Sequence, residues 1–188
     1  MSHSTISLGL GLGGGKASTS SGRPAGSSFA NDYSVHFDGT NDFLKADAGS
    51  ALRATSAISF SQWIKPDTIG GTQKGFHLGN PSSRNDRIQY YINYAGTVTA
   101  YIKLGGVAVS KNSSIGVISA GSWFHIVVTL DNTNGIKIYV NGNHEATQSV
   151  SAGFLSSNSN LTEIRMSARN DSVSQCVDGR IDETSVYA

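Results

Sequence analysis

Cysteine, proline and charge are all scarce in this sequence. Its 188 residues include one cysteine and three prolines, charged residues make up 14%, and the formal net charge is +1. A lone cysteine cannot form an internal disulfide, so Cys176 is interpreted as an inert, half-buried thiol. So small a net charge provides no basic field for a phosphate backbone or an acidic membrane surface, and we expect neither nucleic acid nor membrane as a partner.

Long apolar runs are also missing, above all at the start of the chain. In MSHSTISLGLGLGGGK, glycine interrupts the apolar residues and no basic segment precedes them. A signal peptide needs an unbroken apolar segment after a basic one, and a membrane helix needs about 20 apolar residues in succession. We therefore expect neither a standard secretion signal nor a membrane span.

The opening of the chain consists mainly of glycine, serine and small apolar residues. Such a composition buries too little apolar area to offset the entropy of ordering, which predicts a flexible arm over residues 1–28 and one domain over residues 29–188. One pattern favours order: Ile6, Leu8, Leu10 and Leu12 alternate with serine and glycine, as in an extended strand with one apolar side. Packing on its own domain or on a neighbouring molecule would hold such a strand in place.

Helical periodicity is nearly absent after the arm, and only residues 48–53 are predicted to form one short helical turn. Short apolar runs instead alternate with turn residues at intervals of roughly 8 to 12, which is typical of an antiparallel sandwich or jelly roll. We therefore predict an all-β, two-sheet antiparallel sandwich. Its predicted strands are 34–37, 57–64, 75–79, 87–93, 98–104, 107–110, 123–131, 135–140, 143–150, 162–167 and 179–187.

Two hairpins are predicted within the segment GSWFHIVVTLDNTNGIKIYVNGNHEA. Phe124, Ile126, Val128 and Leu130 point to one face of a strand, and the turn Asp-Asn-Thr-Asn-Gly leads into the next strand. Asn141-Gly142 then provides the two positive φ angles of a type I′ turn, whose twist matches that of the flanking strands. The regularity of this segment therefore indicates architecture.

Four motifs, in this order, carry a resemblance to a known family: SVHFDGTNDFL, AISFSQWIKPD, GSWFHIVVTLDNTNGIKIYVNG and VDGRIDETSVY. Over about residues 33–187 the chain resembles the laminin-G-like, concanavalin A-like lectin-glucanase jelly-roll family. The resemblance implies a sandwich of the kind found in lectins, adhesion modules, glycoside hydrolases and many bacteriophage particle proteins, often with one calcium ion at the rim. It also implies that Trp63 and Trp123 are packing residues of the core. The fold alone does not choose among these functions.

A glycosidase would need two carboxylates that flank the scissile bond at a defined separation. The chain has three glutamates, Glu145, Glu163 and Glu183, and none stands at the family's Glu-x-Asp-x-x-Glu spacing. The five histidines show no metal-ligand spacing such as H-x-x-x-H, and His125 lies within a predicted strand. We therefore expect no enzymatic activity.

One calcium ion is the cofactor that the sequence suggests. The turn Asp38-Gly39-Thr40-Asn41-Asp42 offers the oxygen ligands that calcium prefers, and in the family's pattern this loop lies beside the last strand. Asp38, Asn41 and Asp182 would then share the ion. The alternative stays open, because Asp and Asn before Gly are ordinary turn formers that bond to local amides.

A lectin-type site needs aromatic faces for stacking and polar groups on nearby loops. Tyr90, Tyr91 and Tyr94, with Arg84 in the adjoining polar loop, are the candidate sugar contacts, and Asn170 marks a second polar turn. Tyrosines also alternate on ordinary half-buried strands, so a purely structural role for them stays open.

The function predicted from these observations is that of a non-enzymatic virion accessory, fibre or adhesion protein. Virion proteins are made in the host cytoplasm and act outside after lysis, which explains a surface-recognition fold without a secretion signal or disulfides. The arm would dock to other virion proteins or to copies of itself by strand addition, and the sandwich would face outward toward a cell-surface glycan. The alternative is a free-standing bacterial lectin-like module that binds carbohydrate.

Overall fold

The structure is a computed structural model that describes residues 5–7, 33–48, 52, 55–151, 155, 160–169 and 172–188. Within these residues thirteen strands form two antiparallel sheets. The strands are β1 (Thr5–Ser7), β2 (Val35–Asp38), β3 (Leu44–Asp47), β4 (Ala57–Pro66), β5 (Gln73–Asn80), β6 (Ser83–Ile92), β7 (Val98–Leu104), β8 (Val107–Asn112), β9 (Phe124–Asp131), β10 (Gly135–Val140), β11 (Asn143–Gln148), β12 (Glu163–Met166) and β13 (Asp178–Tyr187).

The two sheets stack as a sandwich, as the sequence predicts. One has the order β1-β13-β4-β9-β10-β11, with β2 also paired to β13, and the other has the order β3-β12-β5-β6-β7-β8. Each of the eleven predicted strands corresponds to an observed strand. Strand β3 was not predicted, because turn-forming residues dominate the sequence just before it. Of the predicted helical turn over 48–53, only Ala48 and Leu52 are described, and both are buried.

The period-two patterns produce the expected faces. In β9, Ile126, Val128 and Leu130 are buried and alternate with less buried neighbours. Asn141 and Gly142 have φ angles of 51° and 80°, and Val140 pairs with Asn143. This is the predicted two-residue hairpin, because both central residues of a type I′ turn require positive φ.

Part of the arm belongs to the sandwich. Strand β1 pairs with the end of β13, and Ile6 lies opposite Val186. Of the two surfaces that the sequence left open for an ordered arm, Ile6 is therefore placed on its own domain. Leu8, Leu10 and Leu12 lie outside the described residues.

Trp63 departs from its predicted role. Gln62 and Ile64 are fully buried, so alternation places Trp63 between them on the outer face of the seven-stranded sheet. Its ring there packs on the imidazole of His125, with 5.0 Å between the centroids. The expectation that Trp63 is a core residue is wrong, and Trp123 is half-buried just before β9.

The core contains a row of hydrogen-bonded polar side chains. Tyr90 is fully buried and stacks on Phe60, with ring centroids 5.7 Å apart, and burial raises its pKa. Its hydroxyl donates to Oε1 of Gln62, whose Nε2 donates to Oγ1 of Thr184 at 2.7 Å. These hydrogen bonds therefore join β6 of one sheet to β4 and β13 of the other.

Tyr90→Phe is expected to lower the free energy of unfolding by about 1–3 kcal/mol, because it leaves a buried acceptor of Gln62 without its donor. Denaturant unfolding measures the change. Tyr94→Phe is the control, since Tyr94 is 78% exposed and should change stability little. Equal effects of the two substitutions would contradict the role assigned to the Tyr90 hydroxyl.

No helix in the described part of the chain has the length and apolar character needed to cross a membrane.

Candidate functional site

The outer face of the six-stranded sheet carries polar side chains in cross-strand rows. The central row pairs Arg165 with His77, His77 with Gln89, and Gln89 with Tyr101. These residues alternate with core residues such as Ile88 and Ile102, so they point away from the sandwich interior. His77 and Gln89 are only 3% and 5% exposed, which shows that neighbouring side chains cover them.

A cavity of about 250 Å³ opens on this face. Its lining combines three cations, two tyrosines and three uncharged polar side chains, and none of these eight residues is acidic: Thr72, Lys74, Arg87, Gln89, Tyr91, Tyr101, Arg169 and Gln175. We call it the cation pocket. Clefts lined by charge of one sign raise the local concentration of oppositely charged ligands.

Both tyrosine rings of the cation pocket already hold a cation. The ammonium nitrogen of Lys74 lies 3.8 Å from the centroid of Tyr91, and the guanidinium carbon of Arg87 lies 4.7 Å from that of Tyr101. Cations are attracted to the negative face of an aromatic ring. The rings therefore position the positive charges, and the ring faces that the cations occupy are closed to a stacked sugar.

Arg169 and Gln175, which follow β12 in the sequence, form one wall of the pocket. The amide of Lys74 donates to the carbonyl of Gln175 at 2.8 Å. The amide of Val177 donates to the hydroxyl of Ser167 at 3.0 Å. Because Ser167 and Gln175 have positive φ angles of 71° and 58°, the backbone turns sharply at both ends of this wall.

The predicted sugar contacts divide into four groups. Tyr91 lines the cation pocket, whereas Tyr94 is exposed in the turn after β6 and is not part of the lining. The prediction for Tyr90 is wrong, because its side chain points into the core and is 0% exposed. The side chain of Arg84 and the whole of Asn170 lie outside the described residues.

Most residues of the cation pocket were not predicted. The strand pattern from Arg87 to Tyr91 contained a usable signal, since alternate residues share a face and two successive tyrosines cannot both point outward. No sequence pattern connects this stretch with Lys74 or Arg169, which come from other strands and loops. Only the fold brings them together.

The residues predicted to share a calcium ion are not brought together. Asp38 lies opposite Asp178 on β13, and Asp182 follows four residues later, about 13 Å along the strand at the usual rise. Among the described residues, no group of three or more acidic, histidine or cysteine side chains could hold a metal ion. The set Asp38, Asn41 and Asp182 is therefore wrong as a single site, and the binding of one calcium ion by the protein stays a prediction.

Asp38 instead caps its own turn. Its Oδ1 accepts hydrogen bonds from the amides of Thr40 at 2.8 Å and Asn41 at 3.3 Å. These bonds, that from Thr40 foremost, hold the pKa of Asp38 below its usual value. The local turn-forming role that the sequence left open thus accounts for this aspartate.

The three glutamates lie on three different strands, Glu145 on β11, Glu163 on β12 and Glu183 on β13. Glu163 accepts a hydrogen bond from Nε of Arg165 at 2.6 Å. The structure thus shows no pair of glutamates on one strand of the kind that the family's glucanase motif needs.

The two stacked antiparallel sheets define a jelly-roll-like β-sandwich, and a polar pocket lies on one of its outer faces. The family model described as the concanavalin A-like lectin/glucanases superfamily matches residues 38–188. The chain therefore belongs to this superfamily, as the four sequence motifs indicated. None of the curated proteins compared with the chain matches it.

Solved structures with the same fold include a CBM40 module, a sialidase and a pentraxin. The CBM40 module of the Ruminococcus gnavus IT-sialidase, bound to alpha2,3 sialyllactose, has a TM-score of 0.67 at 17% identity over 82% of this chain and 88% of its own. The K499G mutant of NanB sialidase from Streptococcus pneumoniae has a TM-score of 0.68 at 16% identity, and the match covers 81% of this chain but 25% of the sialidase. A heptameric SAP-like pentraxin from Limulus polyphemus has a TM-score of 0.62 at 19% identity over 80% of this chain and 73% of the pentraxin. At these identities the likeness shows the fold alone.

Proposed function

We propose that this protein is a non-enzymatic carbohydrate-binding module and that its cation pocket binds an acidic sugar at the end of a glycan. The observation that carries the proposal is the arrangement of Lys74, Arg87 and Arg169 around one cavity whose tyrosine rings hold two of these cations. A carboxylate is the natural partner of such a pocket. Sialic acid is a sugar that carries such a carboxylate.

The chemistry of the pocket suits a charged ligand. Lys74 is only 5% exposed, and the ring of Tyr91 offsets part of the cost of removing its ammonium from water. Charge-assisted hydrogen bonds from arginine to carboxylate are stronger than bonds between neutral groups. Gln89, Gln175 and Thr72 add uncharged donors and acceptors for the hydroxyl groups of a sugar.

The comparisons support the same ligand class without assigning it. The Ruminococcus gnavus module is a carbohydrate-binding module whose solved complexes contain alpha2,3 and alpha2,6 sialyllactose. The sialidase matches cover only about a quarter of those longer enzymes, for example 25% of the NanB chain. The shared part is therefore a single domain of the sialidase, which supports a binding role for the present chain.

A comparison of 3′-sialyllactose with lactose tests the proposal, because the two ligands differ only by the acidic sugar. Isothermal titration calorimetry is expected to show saturable binding of 3′-sialyllactose that weakens as sodium chloride rises, and no binding of lactose. Salt screening acts on attraction between charges and would leave a neutral stacking site almost unchanged. Equal affinity for the two ligands would contradict the charge-based site, and absence of binding across a broad acidic glycan panel would contradict the function.

The virion role remains a second prediction. It rests on the glycine- and serine-rich composition of residues 1–28, and it includes the proposal that the protein acts on a virus particle. The pairing of β1 with β13 favours the module, since this part of the arm completes its own sheet. Docking by Leu8, Leu10 and Leu12 to virion proteins or to other copies stays a prediction.

A further inference from the structure

We infer that Arg165 is a positioning residue that holds the Arg169 wall of the cation pocket in place; its effect on ligand binding rests on the proposed function. Arg165 does not line the pocket. It lies in β12, four residues before Arg169, at the base of the wall segment. Its importance follows from the contacts that its guanidinium makes.

Two nitrogens of the Arg165 guanidinium donate hydrogen bonds to different parts of the structure. Nε donates to Oε1 of Glu163 at 2.6 Å, and NH1 donates to the backbone carbonyl of Arg169 at 2.7 Å. Both distances are short for nitrogen donors, as is usual when an ion takes part. Arg165 thus joins a regular strand to the irregular segment that carries the Arg169 side chain.

The guanidinium is also held by an aromatic ring and by burial. Its carbon lies 4.7 Å from the ring centroid of Phe43, and the side chains of Arg165 and Glu163 are only 12% and 17% exposed. A planar fork held by a carboxylate and a ring loses little additional freedom when it binds the carbonyl. The carboxylate also neutralises the charge of Arg165, so its expected effect on a ligand is through the position of Arg169.

The other end of the wall is bonded to β5. The amide of Lys74 donates to the carbonyl of Gln175, which places a pocket residue on each side of one hydrogen bond. Release of the Arg169 carbonyl is therefore expected to weaken the hydrogen bonds that Ser167 and Gln175 make on either side of it. The amides of Lys74 and Val177 donate to Gln175 and Ser167, so faster hydrogen exchange at these two amides would report the weakening.

The test uses the double variant Glu163→Gln/Arg165→Gln, which removes one negative and one positive charge and leaves the net charge unchanged. It also avoids leaving a half-buried carboxylate unpaired. Amide hydrogen exchange of the full chain is expected to accelerate about tenfold or more at Lys74 and Val177, while protection of the β9 and β10 amides stays unchanged. Lys45→Gln is the control for loss of a neighbouring positive charge, because Lys45 is exposed beside Arg165 on β3 and its substitution should alter neither amide.

Ligand affinity provides the second measurement. The double variant is expected to bind 3′-sialyllactose about fivefold more weakly or worse, with the salt dependence of the wild-type protein. The triple variant Glu163→Gln/Arg165→Gln/Arg169→Gln should bind 3′-sialyllactose only slightly more weakly than Arg169→Gln alone. The effects of residues that act through one another are not additive. Unchanged exchange at Lys74 and Val177 would overturn the inference. Accelerated exchange in a protein that binds no acidic glycan would support the positioning role and contradict the proposed function instead.

Discussion

Replacement of Arg87 by glutamine is expected to weaken binding of 3′-sialyllactose at least about tenfold. Arg87 lines the cation pocket, and its guanidinium lies over the ring of Tyr101. A hydrogen bond to a charged group contributes about 1.5–3 kcal/mol, so its loss corresponds to at least a tenfold change in the dissociation constant. Isothermal titration calorimetry at two salt concentrations measures both the loss and the smaller salt dependence that should accompany it.

Arg180→Gln is the matched control for Arg87→Gln. Arg180 is exposed on β13, in the seven-stranded sheet, and its removal changes the net charge of the protein by the same amount. It should leave the affinity for 3′-sialyllactose unchanged within about twofold, because charges separated by more than a Debye length are screened. Equal losses in the two variants would mean that overall charge attracts the glycan and that the pocket does not select it.

Gly135→Ala is expected to cost about 3 kcal/mol or more of unfolding free energy. Gly135 begins β10 at the turn of the β9–β10 hairpin and has a φ of 75°. A Cβ atom there would lie 2.1 Å from the carbonyl oxygen of Gln148, a backbone atom of the paired strand β11. The alanine thus combines an unfavourable left-handed conformation with a clash that only movement of β11 can relieve.

Gly142→Ala separates these two effects. Gly142 has a similar φ of 80°, but nothing lies within 4 Å of the position of an added Cβ. Its substitution should cost only the conformational part, about 1 kcal/mol. Urea unfolding of both variants gives the comparison, and similar losses would show that the Gln148 carbonyl yields more easily than its place in the β10–β11 ladder indicates.

The sequence was sufficient to predict the elements that short-range physics determines. The two hairpins from Phe124 to Gln148 follow from apolar alternation and from turn residues that tolerate positive φ. Strand β7 has its predicted bounds for the same reason. Strand β3, Leu44–Asp47, was missed because it directly follows a dense group of turn residues.

The candidate site was harder to predict, since its residues meet only through strand order. Tyr91 could be named because an aromatic residue beside a polar loop suggests a ligand, and Tyr90 was named with it by adjacency alone. Lys74, Arg87 and Arg169 are spread over 95 residues of sequence. Their convergence depends on β12 pairing with β5, and β5 with β6, which composition does not encode.

The position of β13 has a consequence for how the molecule acquires its structure. This strand lies between β4 on one side and β1 and β2 on the other, and it pairs Ile181 with Ile64 across 117 residues of sequence. Such distant partners meet late, because the entropy of closing a long loop must be met before the contact contributes stability. The hairpins of β9, β10 and β11 can form early, and until β13 arrives the backbone edge of β4 stays open to pairing with another chain. Refolding at high protein concentration would therefore favour aggregation through β4, and refolding at low protein concentration would reduce it.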